Sequence, residues 1–458
     1  MPHTEGMTGS QATANPARSR ERQLQLLDRE SFDVAIIGGG IYGAMLLLYA
    51  TAYGLKAVLL DRGDFGAETS FNSLRILHGG LRYLQTLDLL RSRESIREQR
   101  WFLREFPDLV RALPCLLPLH NHGLRRPSFM RLAFGLDRIM SMDRNRGLAI
   151  ERQLPPARII SAAETRTHFP QVATSGLAGG ALWHDAAIPD TQRLIMEVLN
   201  WARSQGGVAI NYLDATDLSI DDATIRAVEV SDRESGKRRE ITTKVAINAS
   251  GPWCEDLAAR FDASYKKTAY PSVAWNVLFD REALSEYALG VAVQEPNSQV
   301  YFLHPWKGRL LAGTGHKATR DSTECAVENL DLDSMIADLN RAIPGLALST
   351  HEIQRVMSGI LPVRKMGSTD LSKRPIIHDH GTSGGPQGLI SVTGVKLGAS
   401  RLVADSTMRT TTKRYFGSHH RSPPQLGDRP SPRQGWQQSA RNSSGGRWQL
   451  QRLQPFLG

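Results

Sequence analysis

Apolar residues gather in short runs that punctuation residues interrupt. Asp33-Val34-Ala35-Ile36-Ile37 is a continuous apolar run of strand length and ends at three glycines. Ile41 to Tyr53 is apolar on every side, reads as a buried helix, and has Gly54 in position to cap its C-terminus. Lys56 to Leu60 is a second strand, so the chain opens on a βαβ unit. Leu87 to Arg111 is a charged amphipathic helical stretch, broken near Pro107. Strand-like runs follow at Gly207–Val230 and Lys244–Asn248, and Tyr301–Gly313 reads as two strands around a Lys307-Gly308 turn. Gly388 to Val392 is a last buried strand, with a turn at Gly394 and a helix to about Met408. Residues 1–30 are polar and expected to be disordered, with mobility up to about Glu21. After Thr410, Ser, Gln, Arg, Pro and Gly dominate and no apolar period survives, so 411–458 reads as a disordered low-complexity tail.

Charge changes this picture little once it is located. The 458 residues carry 56 Lys and Arg against 46 Asp and Glu, a formal net charge of +10. Residues 411–458 hold eight of the basic residues and one acid. The body is therefore close to neutral, and its composition gives no case for a nucleic-acid partner. The three cysteines (Cys115, Cys254 and Cys325) are too few and too far apart for a disulfide framework, and a reducing cytosol is the simple expectation. No signal peptide pattern is visible, and no run reaches the ~20 apolar residues of a membrane span. His120-Asn121-His122, His378-Asp379-His380 and His419-His420 lack a second cluster with ligand spacing, so no metal site is expected.

The chemistry lies in the opening unit. Gly38-Gly39-Gly40-Ile41-Tyr42-Gly43 fits G-x-G-x-x-G between a strand and a helix. Gly38 permits the tight turn, Gly40 lets backbone approach a pyrophosphate, and Gly43 allows close helix–strand packing. The helix N-terminus then faces the phosphates. Asp61 ends the second strand, where a carboxylate can accept bonds from ribose hydroxyls. Together these elements predict a dinucleotide; the bland alternative is a glycine-rich turn in an unrelated α/β domain.

Thr69-Ser70-Phe71-Asn72-Ser73-Leu74-Arg75-Ile76-Leu77-His78-Gly79-Gly80-Leu81-Arg82-Tyr83-Leu84 resembles a segment of the FAD-dependent glycerol-3-phosphate dehydrogenases, within the D-amino-acid-oxidase-like flavoproteins. Ala249-Ser250-Gly251-Pro252-Trp253 resembles their A-T-G-P-W element. Phe302-Leu303-His304-Pro305-Trp306 with Gly313-Thr314 resembles their aromatic strand and G-T-T turn. Thr393-Gly394-Val395-Lys396-Leu397 with Arg401 resembles their T-G-G-K-L-T-T-x-R close. The elements occur in family order from residue 32 to about 408. The resemblance implies an α/β fold: a discontinuous Rossmann-type FAD-binding domain (31–112, 176–262 and 355–410) and a cap built on an antiparallel sheet (113–175 and 263–354). The cofactor it implies is FAD. The residues it implies for FAD are Gly38, Gly40, Ile41, Tyr42, Gly43, Asp61 and Arg62, then Thr69, Ser70, Ser73, His78 and Gly79. Gly251, Trp253, Gly394, Val395, Lys396 and Leu397 complete that set. Val395, Lys396 and Leu397 are expected to start the last helix, where their amides could stabilise negative charge on the reduced flavin.

The same resemblance implies oxidation of glycerol 3-phosphate to dihydroxyacetone phosphate by hydride transfer to flavin N5, with electrons passing to a quinone-type acceptor. It places Arg82, Tyr83, Lys396 and Arg374 at the substrate. Two departures weaken that assignment. Ser358-Gly359-Ile360-Leu361-Pro362-Val363 has Leu361 where the family has an arginine, and Ser272-Val273-Ala274-Trp275-Asn276-Val277 has no histidine where the family has one. Gly315-His316 also replaces the usual polar pair after G-T. The family continues past the last helix into a helical C-terminal domain; here the low-complexity tail follows, as in a diverged or C-terminally truncated member. An oxidoreductase of the same superfamily acting on another alcohol, hydroxy acid or amine remains open, as does a flavin-binding protein without catalysis. The expected location is cytoplasmic. Residues 124–146, rich in Arg among Phe, Met and Leu, suit either peripheral contact with an anionic membrane or a helix packed on the cap.

Overall fold

The computed structural model describes residues 16–84, 87–121, 126–293, 295, 298–322, 325–417 and 424–430, apart from the side chains of residues 16–19, 82 and 84. In chain order the elements begin with α1 (Pro16–Arg29), β1 (Phe32–Ile37), α2 (Ile41–Ala52), β2 (Ala57–Leu60), β3 (Ile76–Leu77), α3 (Leu81–Leu84) and α4 (Leu89–Glu105). They continue with β4 (Arg111–His120), α5 (Pro127–Met140), β5 (Arg158–Ile160), α6 (Ala162–His168), β6 (Leu177–Ala187) and α7 (Thr191–Ser204). Next come β7 (Val208–Ile210), β8 (Leu213–Asp221), β9 (Thr224–Asp232), β10 (Arg238–Asn248), α8 (Cys254–Phe261), β11 (Tyr270–Glu282) and β12 (Ala288–Val291). The series closes with β13 (Tyr301–Trp306), β14 (Arg309–Ala318), α9 (Asn329–Ala342), β15 (Ile353–Val363), β16 (Ile376–Asp379), β17 (Leu389–Thr393) and α10 (Ser400–Tyr415).

The first sheet has the order β16-β17-β10-β1-β2-β7, with β9 paired to β10 and β8 to β9. Its strands β17, β10, β1, β2 and β7 run parallel, with β7 at the edge. Parallel strands are covered on both faces, which is why β1 and β2 read as unbroken apolar runs. Helix α2 is buried all round; Ala44, Met45, Leu46, Leu47 and Leu48 are each 0% exposed. It shares one apolar core with Leu194, Ile195 and Val198 of α7 and Val403, Ala404 and Met408 of α10. The second sheet has the order β15-β11-β14-β13-β12-β4-β6-β3, with β5 on β6. Its pairings are antiparallel except for β12 beside β4. Alternate residues of β11 (Val273, Trp275, Val277 and Phe279) face Leu332, Met335, Ile336 and Leu339 of α9.

Several expectations change. Residues 16–29 are a helix rather than disordered chain. Arg20 pairs with Asp232 at 3.1 Å and Glu234 at 2.9 Å, and Leu24 and Leu27 are buried beneath. Helix α10 runs past Thr410 to Tyr415. Within 424–430, the Gly427 carbonyl accepts the Trp201 indole N–H at 2.8 Å, and the Arg429 guanidinium lies 5.0 Å from the Phe106 ring. Composition sees none of these tertiary anchors. The disorder expected at 1–15 and beyond residue 430 lies outside the described residues. Strands β6 and β15 belong to the second sheet, although the sequence boundaries grouped 176–262 and 355–410 with the cofactor domain. Helix α10 begins at Ser400; a single 3₁₀ turn at Leu397–Ala399 precedes it, so Val395 and Lys396 lie in a loop rather than a helix.

Candidate active site

The glycine motif folds as its spacing predicts, and packing explains why. Gly38 has φ +109°, and a Cβ there would stand 2.5 Å from the Ala249 carbonyl oxygen at the end of β10. A Cβ on Gly43 would stand 1.8 Å from the Gly38 carbonyl oxygen, so α2 lies directly on the turn that feeds it. The Asp61 carboxylate accepts the Gly39 amide at 2.5 Å and the Gly63 amide at 2.7 Å. Burial raises its pKa, and the two amides work against that rise. Its oxygens thus fasten the motif loop. Beside it, Arg62 stacks 3.8 Å from the Trp253 ring, bringing two expected cofactor residues together.

Between the two sheets lies a cavity of ≈ 940 Å³. That volume is at the upper end of the ~300–1,000 Å³ range of small-molecule sites. Gly40, Ile41 and Tyr42 line it from the motif, and Thr69, Ser70 and Ser73 from the following loop. His78, Tyr83 and Gly251 line it further along, and Gly394, Val395, Lys396 and Leu397 close it. Gly38, Gly43, Asp61, Arg62, Gly79 and Trp253 lie outside its lining. Arg374 is exposed and also outside the lining; its neighbour Lys373 is the cation that faces the cavity. The chain bends at Lys373 and Arg374, and of the two only Lys373 lines the cavity. The side chain of Arg82, and His122, His419 and His420, lie outside the described residues.

The wall is polar in a few defined places. The Ile41 amide at the start of α2 donates to Ser70 Oγ at 3.1 Å, and the Tyr42 hydroxyl donates to the Lys396 carbonyl at 3.0 Å. Burial pushes the Tyr42 phenol well above its ordinary pKa. His78 Nδ1 lies 2.9 Å from Asp185 Oδ2, and the Gly79 amide donates to Asp185 Oδ1 at 2.7 Å. Burial works to raise the Asp185 pKa, but the bonds from His78 and Gly79 outweigh it and hold the carboxyl low. Asn276 Nδ2 donates to the Asn72 carbonyl at 2.8 Å, and its Oδ1 accepts the Thr314 hydroxyl at 3.0 Å. Leu361 lines the cavity from β15. No histidine projects from β11, but His316 of β14 lines the cavity and pairs across the strands with Ala274.

Sequence reasoning missed four of the polar residues here. Asp185 sits on β6, 107 residues from His78, and no motif links them. Arg91 falls in the charged helical stretch from Leu87 to Arg111 and Lys373 beside Arg374, and no motif marks either as a cavity residue. Arg75 lies inside the Thr69–Leu84 segment, but nothing in its identity distinguishes it from a surface arginine. It is 3% exposed, has φ +65°, and lies 4.0 Å from the Trp306 ring. Burial lowers its pKa to about 10; Arg355 adds to that and Asp190 opposes it.

The donor set fits an FAD. A Cβ on Gly394 would stand 2.5 Å from the Tyr42 hydroxyl, so side chains are excluded where the last loop approaches the motif helix. Thr69 Oγ1 is buried without a hydrogen-bond partner among the described residues, a donor left for a ligand. Among the described residues no group of three or more His, Cys, Asp or Glu is placed to hold a metal ion.

Comparison with known proteins agrees with this geometry. The model of the family described as FAD dependent oxidoreductase matches residues 33–403. The glycerol-3-phosphate dehydrogenase of Synechocystis sp. is 27% identical over 423 residues, covering 88% of this chain and 73% of that protein. The aerobic glycerol-3-phosphate dehydrogenase of Staphylococcus haemolyticus is 28% identical over 404 residues, covering 86% and 70%. Among solved structures, the glycerol-3-phosphate dehydrogenase of Bacillus halodurans complexed with FAD has a TM-score of 0.68 at 21% identity, covering 90% of this chain and 70% of that one. The L-alpha-glycerophosphate oxidase of Mycoplasma pneumoniae with FAD bound has a TM-score of 0.62 at 15% identity, covering 86% and 98%. The chain belongs to the FAD dependent oxidoreductase family and is an FAD-dependent oxidoreductase of the glycerol-3-phosphate dehydrogenase type.

Proposed function

We propose that this protein oxidises glycerol 3-phosphate to dihydroxyacetone phosphate and passes the electrons to a quinone-type acceptor. The observation that carries the reading is His78, on the wall of the cavity that also holds Tyr83 and Lys396, with Asp185 buried behind it at 2.9 Å. Asp185 is 3% exposed and takes the Nδ1 side of the ring, which leaves Nε2 as the basic nitrogen. His78 Nε2 then takes the hydroxyl proton of the substrate as the carbinol carbon gives up its hydride. Lys396 and the other cations of the wall hold the phosphate. Gly40, Ile41, Tyr42, Thr69, Ser70, Ser73, Gly251 and Gly394 to Leu397 hold FAD, and Asp61 keeps the motif loop in shape. The chemistry that FAD supplies when bound is two-electron hydride acceptance at N5.

The test is anaerobic reduction of the purified flavoprotein. Glycerol 3-phosphate should bleach the flavin band, and His78→Asn should slow bleaching by about 10²–10⁴-fold. A second reading, another alcohol, hydroxy acid or amine as substrate, is favoured by Leu361 on the wall. Bleaching by such a compound and not by glycerol 3-phosphate would replace the first reading with the second.

A quinone resides in lipid, so the proposal includes a cytoplasmic protein in peripheral contact with a membrane. Among the described residues no helix is long and apolar enough to cross one. Helix α5 supports surface contact. It buries Met130 and Phe134 but leaves Leu132 at 74% and Ile139 at 63% exposure, beside exposed Arg131 and Arg138. Co-sedimentation with anionic vesicles should weaken in Leu132→Glu/Ile139→Glu.

A further inference from the structure

Arg91 stands in the wall of the cavity, on the third residue of α4. Its guanidinium lies 4.4 Å from the centroid of the Tyr83 ring, and Lys396 Nζ lies 3.9 Å from the same centroid. Tyr83 is 7% exposed, so one buried ring gathers two cations on the cavity wall. Lys373 lines the same cavity, and Arg374 is close enough to act on Asp88. Asp88 is the carboxylate in contact with Arg91. It caps α4 by accepting the Arg91 amide at 3.2 Å and meets the guanidinium at 3.3 Å. That pairing leaves Arg91 half used. The side chain is 12% exposed, and its Nε is buried with no hydrogen-bond partner among the described residues. A buried guanidinium donor left over on a cavity wall is a donor kept for an anion.

We propose that Arg91 is a specificity-determining residue of this enzyme, the arginine that takes the phosphate group of the substrate with Lys396 across the Tyr83 ring. It supplies from α4 a positive charge of the kind that Leu361 does not supply from β15. The planar fork suits a phosphate, and stacking on Tyr83 fixes its plane before substrate arrives. The bond that the guanidinium donates to Asp88 holds it in place and makes the carboxylate a competitor for it. The substrate class rests on the function proposed above. Anion binding at Arg91 does not, so the two are tested separately.

The probe is inorganic phosphate, titrated into the full-length, FAD-loaded, oxidised protein and followed by the flavin difference spectrum. Wild type should saturate. Arg91→Gln should raise the phosphate Kd by about 30-fold or more, and Arg91→Lys by an intermediate factor, because an ammonium keeps the charge and loses the fork. Asp88→Asn should lower the Kd, since asparagine still caps the helix and no longer competes as a charge. A role limited to holding α4 together predicts no such gain. FAD content and far-UV circular dichroism confirm that each variant is folded. An unchanged Kd in folded Arg91→Gln, or no phosphate-dependent change in wild type, overturns the proposal. Failure of glycerol 3-phosphate to bleach the flavin, with the phosphate titration intact, would instead refute only the substrate reading.

Discussion

The hydroxyl of Tyr42 donates to the main-chain carbonyl of Lys396 at 3.0 Å, across 354 residues of sequence. One hydrogen bond thereby joins the first helix of the glycine motif to the last loop of the site. Tyr42→Phe keeps the ring and removes the bond. A buried neutral hydrogen bond is worth ~1 kcal/mol, and the carbonyl left behind adds to the loss. FAD affinity measured by fluorescence titration should fall about 5- to 10-fold, with the melting temperature lowered by a few degrees.

Gly43→Ala should be far more severe. The new methyl would stand 1.8 Å from the Gly38 carbonyl oxygen, and that oxygen belongs to backbone that cannot swing away. The helix must lift off the sheet, and overpacking of this kind costs ~1–3 kcal/mol or more. The expected outcome is protein that purifies without its yellow colour and unfolds at lower urea. Full FAD content in this variant would show that α2 can shift without cost.

Leu361→Arg places a guanidinium on the cavity wall, at the position where the resemblance to the glycerol-3-phosphate dehydrogenases implies one. If the substrate is phosphorylated, its KM should fall about 10-fold, the worth of one charge-assisted hydrogen bond, with kcat little changed. An unchanged KM would mean that position 361 does not reach the phosphate.

His304 predicts an acid limb in the stability profile. It is 3% exposed, with Nε2 2.8 Å from the Leu74 carbonyl. Burial lowers its pKa to about 4, helped by Arg75 and Arg111 and opposed by the two backbone contacts. The folded pKa lies below the unfolded value of ~6.5, so the contribution is complete above that pH. As pH falls toward 4 the unfolded chain binds a proton that the folded chain refuses, and roughly 3 kcal/mol is lost. The urea midpoint of His304→Gln should start lower at neutral pH and decline less between those limits.

Arg401 and Glu98 form a buried ion pair in which Arg401 Nε donates at 2.9 Å and a second nitrogen reaches the Tyr49 hydroxyl at 3.1 Å. Burial raises the Glu98 pKa and Arg401 opposes that rise. Arg401→Ala strands the carboxyl beside α10, at a cost of ~3–5 kcal/mol in chemical denaturation. Arg401→Met with Glu98→Leu should recover most of the loss, because no unpaired charge remains.

Much of the site was legible in the sequence for one reason: its first half is local. Strand, glycines, helix and acid lie within residues 32–61, and their spacing alone specifies the turn and the phosphate-facing helix end. Thr69, Ser70, Ser73, His78 and Tyr83 follow in a single motif and do line the cavity. Lys373 and Arg374 are adjacent residues at a bend, so which of them faces the cavity was beyond a motif match.

What the sequence determined by itself was the βαβ opening, the glycine turn, the buried helix α2 and the family, since these depend on neighbours in the chain. Tertiary structure decided the rest. Asp185 meets His78 because β6 pairs with β3, and His316 faces Ala274 because β14 pairs with β11. Arg91 lines the cavity beside Tyr83, whose ring also lies under Lys396 from the far end of the chain. The helix at Pro16–Arg29 and the contacts of Gly427 and Arg429 exist because a folded surface was there to receive them. Polar residues gain such roles from partners far away in sequence, and only packing brings those partners within a hydrogen bond.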